Sequence, residues 1–369
     1  MMFKKILFVI PDMLQGGAEK VVSVMANHWS AKGHLVSILQ FNDAPSYFPL
    51  DKKINLQSLH SAKRSVWIFG FLVNNYLRTI NYFKQVRKIK PDIIISFTDN
   101  ANIYCLLYNH LLKIPVVITQ RTNPHHHTLH GMIDWLPKRM YRRANAMVVQ
   151  TNQTLSIYRD LSIKLPEKTA VIYNPLPASA FNSSFSGERK KIILAVGRLN
   201  NSHKHFDKMI DIFYAIGDQE WQLHIAGDGP DRQMLEDRIR ELKMETSIFL
   251  LGGIQHLSDL YKSAKIFVLT SKFEGFPNSL CEAMANGCAC ISYDCSTGPS
   301  EMIRSGINGI LVESENAEAF ARALTDLTKD EELIQRFSTE AVKIKELLFE
   351  DKIMNQWEML IDDVLQSEK

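Results

Sequence analysis

Short apolar runs recur along the chain, each closed by a polar or glycine-containing turn and followed by a stretch with helical spacing. In the first half they are Ile6–Ile10, Leu35–Phe41, Asp92–Phe97, Val116–Gln120, Ala146–Gln150 and Thr169–Tyr173. In the second half they are Ile192–Val196, Gln222–Ala226, Ser247–Leu251, Ile266–Thr270, Cys288–Ser292 and Ile310–Val312. Apolar runs of this length read as buried strands. Their alternation with helices predicts parallel sheets covered on both faces. The pattern occurs twice, with a break near Tyr173-Asn174-Pro175-Leu176-Pro177, where two prolines bar a helix. The expected fold class is α/β, with two doubly wound Rossmann-like domains, residues 1–174 and 175–350. A final helix over Asp351 to Gln366 carries Ile353, Trp357, Leu360, Ile361 and Val364 at helical spacing.

Composition changes this picture little. The chain has 369 residues, 46% hydrophobic and 22% charged, as in ordinary globular proteins. No run of about 20 apolar residues is free of charge, so no membrane-spanning helix is expected. Lys4-Lys5 passes directly into Ile6–Ile10, which reads as a core strand and not as a cleavable signal. Charge adds more. Residues 1–185 hold 22 basic and 9 acidic side chains, against 21 and 31 in the remainder. A basic half beside an acidic half points to an anionic partner for the first domain. The five cysteines, Cys105, Cys281, Cys288, Cys290 and Cys295, are odd in number and lack zinc-knuckle spacing. They read as buried reduced thiols. No metal site is expected.

The candidate chemistry centres on Glu274-Gly275-Phe276-Pro277-Asn278-Ser279-Leu280-Cys281-Glu282. This stretch leaves the strand Ile266–Thr270 and enters a helix expected over Ser279 to Gly287. Such a turn lies at the carboxyl end of a strand, where α/β sheets bind ligands. The backbone N–H groups from Phe276 to Leu280 are expected to be unpaired and to face an anion. Glu274 and Glu282 would each accept hydrogen bonds from vicinal hydroxyls. Gly16-Gly17 after the first strand offers a close backbone approach at a helix start. Arg198 and Lys204 follow the first strand of the second domain, placed to neutralise a leaving diphosphate without a metal.

These motifs resemble the E-x7-E signature and accompanying pattern of retaining glycosyltransferases of family 4. Gly16-Gly17-Ala18-Glu19, Gly197-Arg198-Leu199 with Lys204-His205-Phe206-Asp207, Ala226-Gly227-Asp228-Gly229-Pro230, Asn308-Gly309-Ile310-Leu311-Val312 and Gly298-Pro299-Ser300-Glu301 stand in the family's order. The resemblance implies the GT-B fold, two domains facing a cleft, with residues 351–369 crossing back onto the first. It implies that the first domain binds the acceptor and the second a nucleotide-sugar donor. A UDP-sugar is then a substrate, and no cofactor is needed. Glu274 would meet the transferred sugar and Glu282 the ribose, with the loop at Gly253-Ile254 reading the base. Gly227-Asp228-Gly229 reads as structural. The leaving group would depart from the face that the acceptor attacks, with retention.

One departure stands out. Where many relatives carry a histidine beside the reacting sugar, this chain reads Gln120-Arg121-Thr122. Arg121 becomes a candidate for an acceptor phosphate or a sugar hydroxyl, and Asp99 a candidate base. His125-His126-His127 and His130 read as an exposed loop rather than a metal site. In residues 63–90, an apolar segment Val66–Leu77 is flanked by Lys63, Arg64 and Arg78, and Lys84, Arg87 and Lys88 share a helical face. That composition suits an anionic membrane surface, although Ile80 and Phe83 read as core. The resemblance extends to bacterial enzymes that lengthen polyprenyl-diphosphate-linked saccharides, cytoplasmic and peripheral on the inner membrane face. Two alternatives are a sugar-nucleotide 2-epimerase of the same architecture and a non-catalytic nucleotide- or nucleic-acid-binding module. No aromatic-and-basic RNA signature supports nucleic acid as a partner.

Overall fold

The computed structural model describes residues 3–59, 68–121, 139–180, 185–218 and 220–367, with backbone alone for 68–75 and 179. Lys63, Arg64, Thr122–Pro124, His125, His126, His127 and His130 lie outside the described residues. The chain divides into two compact units, one of Met1–Pro175 with Asp351–Lys369 and one of Leu176–Glu350.

The first unit is a seven-stranded parallel sheet with strands β1 (Lys5–Ile10), β2 (Leu35–Gln40), β3 (Asn55–Ser58), β4 (Ile93–Phe97), β5 (Val116–Gln120), β6 (Ala146–Val149) and β7 (Thr169–Val171). The order is β3-β2-β1-β4-β5-β6-β7. β1 and β4 are buried along nearly their whole length because helices cover both faces. Helix α1 (Gly17–Ala31) lays Trp29 on Phe8, ring centroids 5.7 Å apart, and Phe97 meets Phe8 at 5.8 Å. The opposite face receives Tyr82 and Val86 of α2 (Ile68–Ile89) and Cys105 of α3 (Asp99–Tyr108). α4 (Asn152–Asp160) is capped by Thr151, whose hydroxyl accepts from the Thr154 N–H. The edge strand β3 has no counterpart in the sequence reading, since Asn-Leu-Gln-Ser carries a single strongly apolar residue.

The C-terminal helix, Glu350–Ser367, belongs to this core. Ile353, Met354, Trp357, Ile361 and Val364 join the cluster that contains Phe8 and Trp29. Each such burial stabilises by roughly 1.5–3 kcal/mol. Lys4–Asp362 at 2.6 Å and Lys32–Glu358 at 2.9 Å fix its rotation.

The second unit holds six parallel strands: β8 (Lys190–Val196), β9 (Gln222–Ala226), β10 (Ile248–Gly252), β11 (Ala264–Leu269), β12 (Ala289–Asp294) and β13 (Ile310–Glu313). Their order is β10-β9-β8-β11-β12-β13. The helices are α5 (Asn201–Lys204), α6 (Phe206–Ile216), α7 (Arg232–Glu241), α8 (Ser258–Ser263), α9 (Asn278–Ala285), α10 (Pro299–Met302), α11 (Ala317–Lys329), α12 (Glu331–Ala341) and α13 (Ile344–Leu348). α9 stops before the expected Gly287, which lies beyond the end with φ +80°.

Each sheet reverses its winding at one place: between β1 and β4 in the first unit, and between β8 and β11 in the second. Such switch points open a crevice at the carboxyl ends of the strands.

Candidate functional site

At the switch point of the second unit, three turns are sewn together. The turn after β8 packs against the turn after β9 through glycines. A Cβ on Gly227 would lie 1.8 Å from the Gly197 carbonyl oxygen, and one on Gly229 2.4 Å from that of Leu199. Gly227-Asp228-Gly229 therefore serves backbone packing. Arg198 stays exposed while Leu199 is buried. The following short helix α5 is tied to the turn after β11. The Thr270 hydroxyl donates to the Lys204 carbonyl at 3.0 Å, the His203 ring stacks on Phe273 at 4.2 Å, and the Lys272 N–H donates to the His203 carbonyl at 2.9 Å. These contacts bring Lys204 Nζ to 2.7 Å from Glu274 Oε1, both side chains being largely enclosed.

The turn after β12 supports the same segment from behind. The Thr297 hydroxyl donates to the Glu274 carbonyl. Gly298 has φ +102°, and a Cβ there would meet Pro277 Cδ at 2.7 Å. Only glycine combines that backbone with that approach.

α9 begins at Asn278 with Pro277 as its N-cap and no side-chain cap. One expectation is corrected here: the Asn278 N–H is taken by the Phe276 carbonyl at 2.9 Å, because the chain turns tightly before the helix. Phe276 and Leu280 point into the core at 5% and 0% exposure, so they can offer a ligand only their backbone. Gly275 and Ser279 are half-buried. Glu282, about one turn along, is enclosed and accepts a hydrogen bond from the Tyr261 hydroxyl at 3.3 Å. Ile254 follows β10 and is half-buried. Cys281, Cys288, Cys290 and Cys295 are all buried and free. Burial pushes the Cys288 and Cys295 thiols up to about 12, so they are protonated apolar side chains.

At the switch point of the first unit, Gly16 is extended, with φ −170°. Its missing side chain makes room for Glu19, whose Oε2 would lie 2.1 Å from a Cβ there. The space over Gly16 is thus held by a carboxylate of the chain itself. Burial raises the Glu19 pKa and Asp12 adds to the rise, while its own backbone and Arg121 oppose it. Gly17 opens α1 and is exposed.

Arg121 Cζ lies over the Phe97 ring, 4.2 Å from its centroid. Its Nη1 donates to Asn174 Oδ1 at 2.5 Å and its Nε to Thr119 Oγ1 at 3.3 Å. Desolvation lowers it to about 9, against the pull of Glu19, so it stays a cation at neutral pH. Two of the guanidinium's five donors are thus spent on the unit's own residues. Asp99 is 5% exposed and accepts from Gln120 Nε2 at 2.6 Å and from the Tyr141 hydroxyl. Its carboxylate braces the strand ends.

On α2, Lys84, Arg87 and Lys88 are all exposed, with Arg87 6.0 Å over the Phe83 ring. Ile80 is 45% exposed and not core, since Tyr82 and Val86 supply the inward face; Phe83 is half-buried. Tyr76 and Leu77 are exposed beside it at 67% and 45%. No helix among the described residues is long and apolar enough to cross a membrane.

Sequence reasoning missed Tyr261, Thr270, His203, Phe273, Thr297 and Asn174. Their work is hydrogen bonding and stacking across distant segments, which leaves no local pattern.

Comparisons with known proteins agree with this geometry. The family model "Glycosyltransferase Family 4" matches residues 15–179, and "Glycosyl transferases group 1" matches residues 178–344. The amylovoran biosynthesis glycosyltransferase of Erwinia amylovora is 25% identical over 366 residues, covering 98% of this chain and 100% of that protein. An α-1,4-N-acetyl-D-galactosaminyltransferase of Campylobacter jejuni, named for a diphospho-undecaprenol-linked acceptor, is 26% identical over 373 residues, covering 98% and 99%. Among solved structures, sucrose-phosphate synthase from Thermosynechococcus elongatus superposes with a TM-score of 0.84 at 16% identity, covering 99% and 100%. At that identity the likeness speaks for the GT-B fold alone.

Proposed function

This chain belongs to the family 4 glycosyltransferases, and from that membership we propose that it moves a hexose or N-acetylhexosamine from a UDP-sugar to a saccharide linked to a polyprenyl diphosphate. The product would be a lengthened lipid-linked precursor of a surface polysaccharide such as O-antigen or capsule. The name of the Campylobacter relative supports that acceptor class.

The observation that carries the reading is the meeting of Lys204 and Glu274 at 2.7 Å on the switch point of the second unit, with Glu282 on the helix that follows. A cation and a carboxylate side by side suit a centre where a diphosphate leaves and positive charge develops on a sugar. Lys204 and the exposed Arg198 take up the charge of the leaving diphosphate. Glu274 stabilises the oxocarbenium-like sugar. Glu282 accepts the ribose hydroxyls, and Ile254 lies beside the base. Backbone groups of Gly275 to Leu280 line the donor's path. Departure and attack occur on one face of the sugar, with the donor phosphate assisting. The configuration is retained, and the side chains carry the leaving-group charge without a metal.

The first unit takes the acceptor. The exposed cations Lys84, Arg87 and Lys88, next to exposed Tyr76, Leu77 and Ile80, support peripheral attachment to an anionic membrane. The test is a panel of UDP-sugars offered with lipid-diphosphate saccharides and read by mass spectrometry. One sugar added with α-configuration is the expected result. Release of a free epimerised sugar with no acceptor consumed would replace this reading by the epimerase one.

A further inference from the structure

A buried carboxylate is costly unless hydrogen-bonded, and Glu282 is 5% exposed. One donor to it, Tyr261, sits on α8 with 1% exposure, its ring 6.0 Å from Phe267 of β11. The phenol oxygen is 3.3 Å from Glu282 Oε2. The backbone on both sides is fixed as well. The Tyr261 carbonyl accepts from Arg189 Nη1 at 2.9 Å and from Cys288 Sγ at 3.0 Å. Arg189 reaches the Asn286 carbonyl at the end of α9, and Asn286 Nδ2 donates to the Glu282 carbonyl at 2.8 Å. The helix that bears Glu282 and the helix that bears Tyr261 thus share one guanidinium. Burial and the nearby carboxylate raise the Tyr261 pKa well above the usual phenol value, so the hydroxyl remains a donor.

We infer that Tyr261 is a positioning residue for nucleotide recognition, its hydroxyl holding the Glu282 carboxylate in the plane that accepts the vicinal ribose hydroxyls. This rests on the reading that Glu282 meets the ribose. A carboxylate that takes two hydroxyls at once must present a set orientation, and loss of the phenol donor would loosen that orientation. A tyrosine that merely filled the core would satisfy its own hydroxyl here and affect every ligand alike.

The distinction is measurable by calorimetry with UDP and with its 2′,3′-dideoxy counterpart. The wild type should prefer UDP. Tyr261→Phe keeps the ring against Phe267 and should weaken UDP binding about tenfold, the usual loss when a charged group loses one donor. Its affinity for the dideoxy compound should be unchanged. Equal weakening of both ligands, or of neither, overturns the positioning role. A wild type that fails to bind UDP, or binds both compounds equally, overturns the ribose reading of Glu282 and the inference with it. Thermal melting of each variant identifies any loss of binding that comes from unfolding, and Glu282→Gln should erase the preference for UDP independently.

Discussion

Lys204 Nζ stands 2.7 Å from Glu274 Oε1, seventy positions away in the chain. The side chain proposed to take up a diphosphate is thus balanced in the structure by the one proposed to meet a sugar. On that proposal, a bound nucleotide sugar shares Lys204 between two anions.

Glu274→Gln therefore has two expected effects. Transfer falls by about 100-fold, the typical cost of losing one charge-stabilising group. Affinity for UDP rises, because Lys204 loses its internal counter-ion. Calorimetry beside a transfer assay checks both; weaker UDP binding by the variant would contradict the sharing of Lys204.

Arg198→Ala and Lys204→Ala should each slow transfer by about 100-fold or more. A chelator should leave the wild type active. Strict dependence on a divalent cation would sink the assignment of leaving-group charge to these two side chains.

Gly298→Ala places a Cβ against Pro277 at φ +102°. Strain of about 1–3 kcal/mol is expected, relieved by a shift of the segment that carries Glu274. Lower melting temperature and slower turnover should appear together. A variant with wild-type values of both would show that the turn after β12 does not brace the site.

Replacing Lys84, Arg87 and Lys88 by Ser should weaken binding to anionic vesicles by about 1 kcal/mol per charge. It should also slow lipid-diphosphate acceptors more than glycosides that lack phosphate. Both losses should shrink in high salt. Equal behaviour of variant and wild type would remove α2 from the membrane face.

Glu19 gives a pH effect. Its folded carboxyl holds the proton more tightly than the ordinary value of 4.5, chiefly through burial. Protonation therefore favours the fold: the contribution is complete below about pH 4.5 and disappears as pH rises through the raised folded value. Glu19→Gln should melt higher than wild type at pH 7 and lose that advantage in acid. An advantage that persists at pH 4 would point to packing instead.

Much of the architecture was legible because the central strands are buried on both faces and read as unbroken apolar runs. β3 was not, since an edge strand half open to water needs no such run. The two glutamates were legible from their turn and spacing. Their partners were not. Lys204 reaches Glu274 only because Thr270, His203 and Thr297 tie three turns together, and single polar residues in turns carry no periodic signal. Arg121 and Asp99 show the converse: strand-end position made them candidates for ligand contact, and it gave no sign that Phe97, Asn174, Gln120 and Tyr141 hold them. Helical spacing gave α2 an apolar face that included Ile80, but spacing alone cannot say that Ile80 stays 45% exposed.

The C-terminal helix puts five core residues of the first unit at the far end of the chain. Met1–Pro175 emerges from the ribosome long before Ile353 and Trp357 exist, and all of the second unit is made in between. At translation rates of about 5–20 residues per second, that interval is roughly 10–35 s. Through it, the face around Phe8 and Trp29 waits uncovered. The first unit to be synthesised is thus the last to close, and for that time its apolar face is open to any chaperone, or any misplaced neighbour, that finds it first.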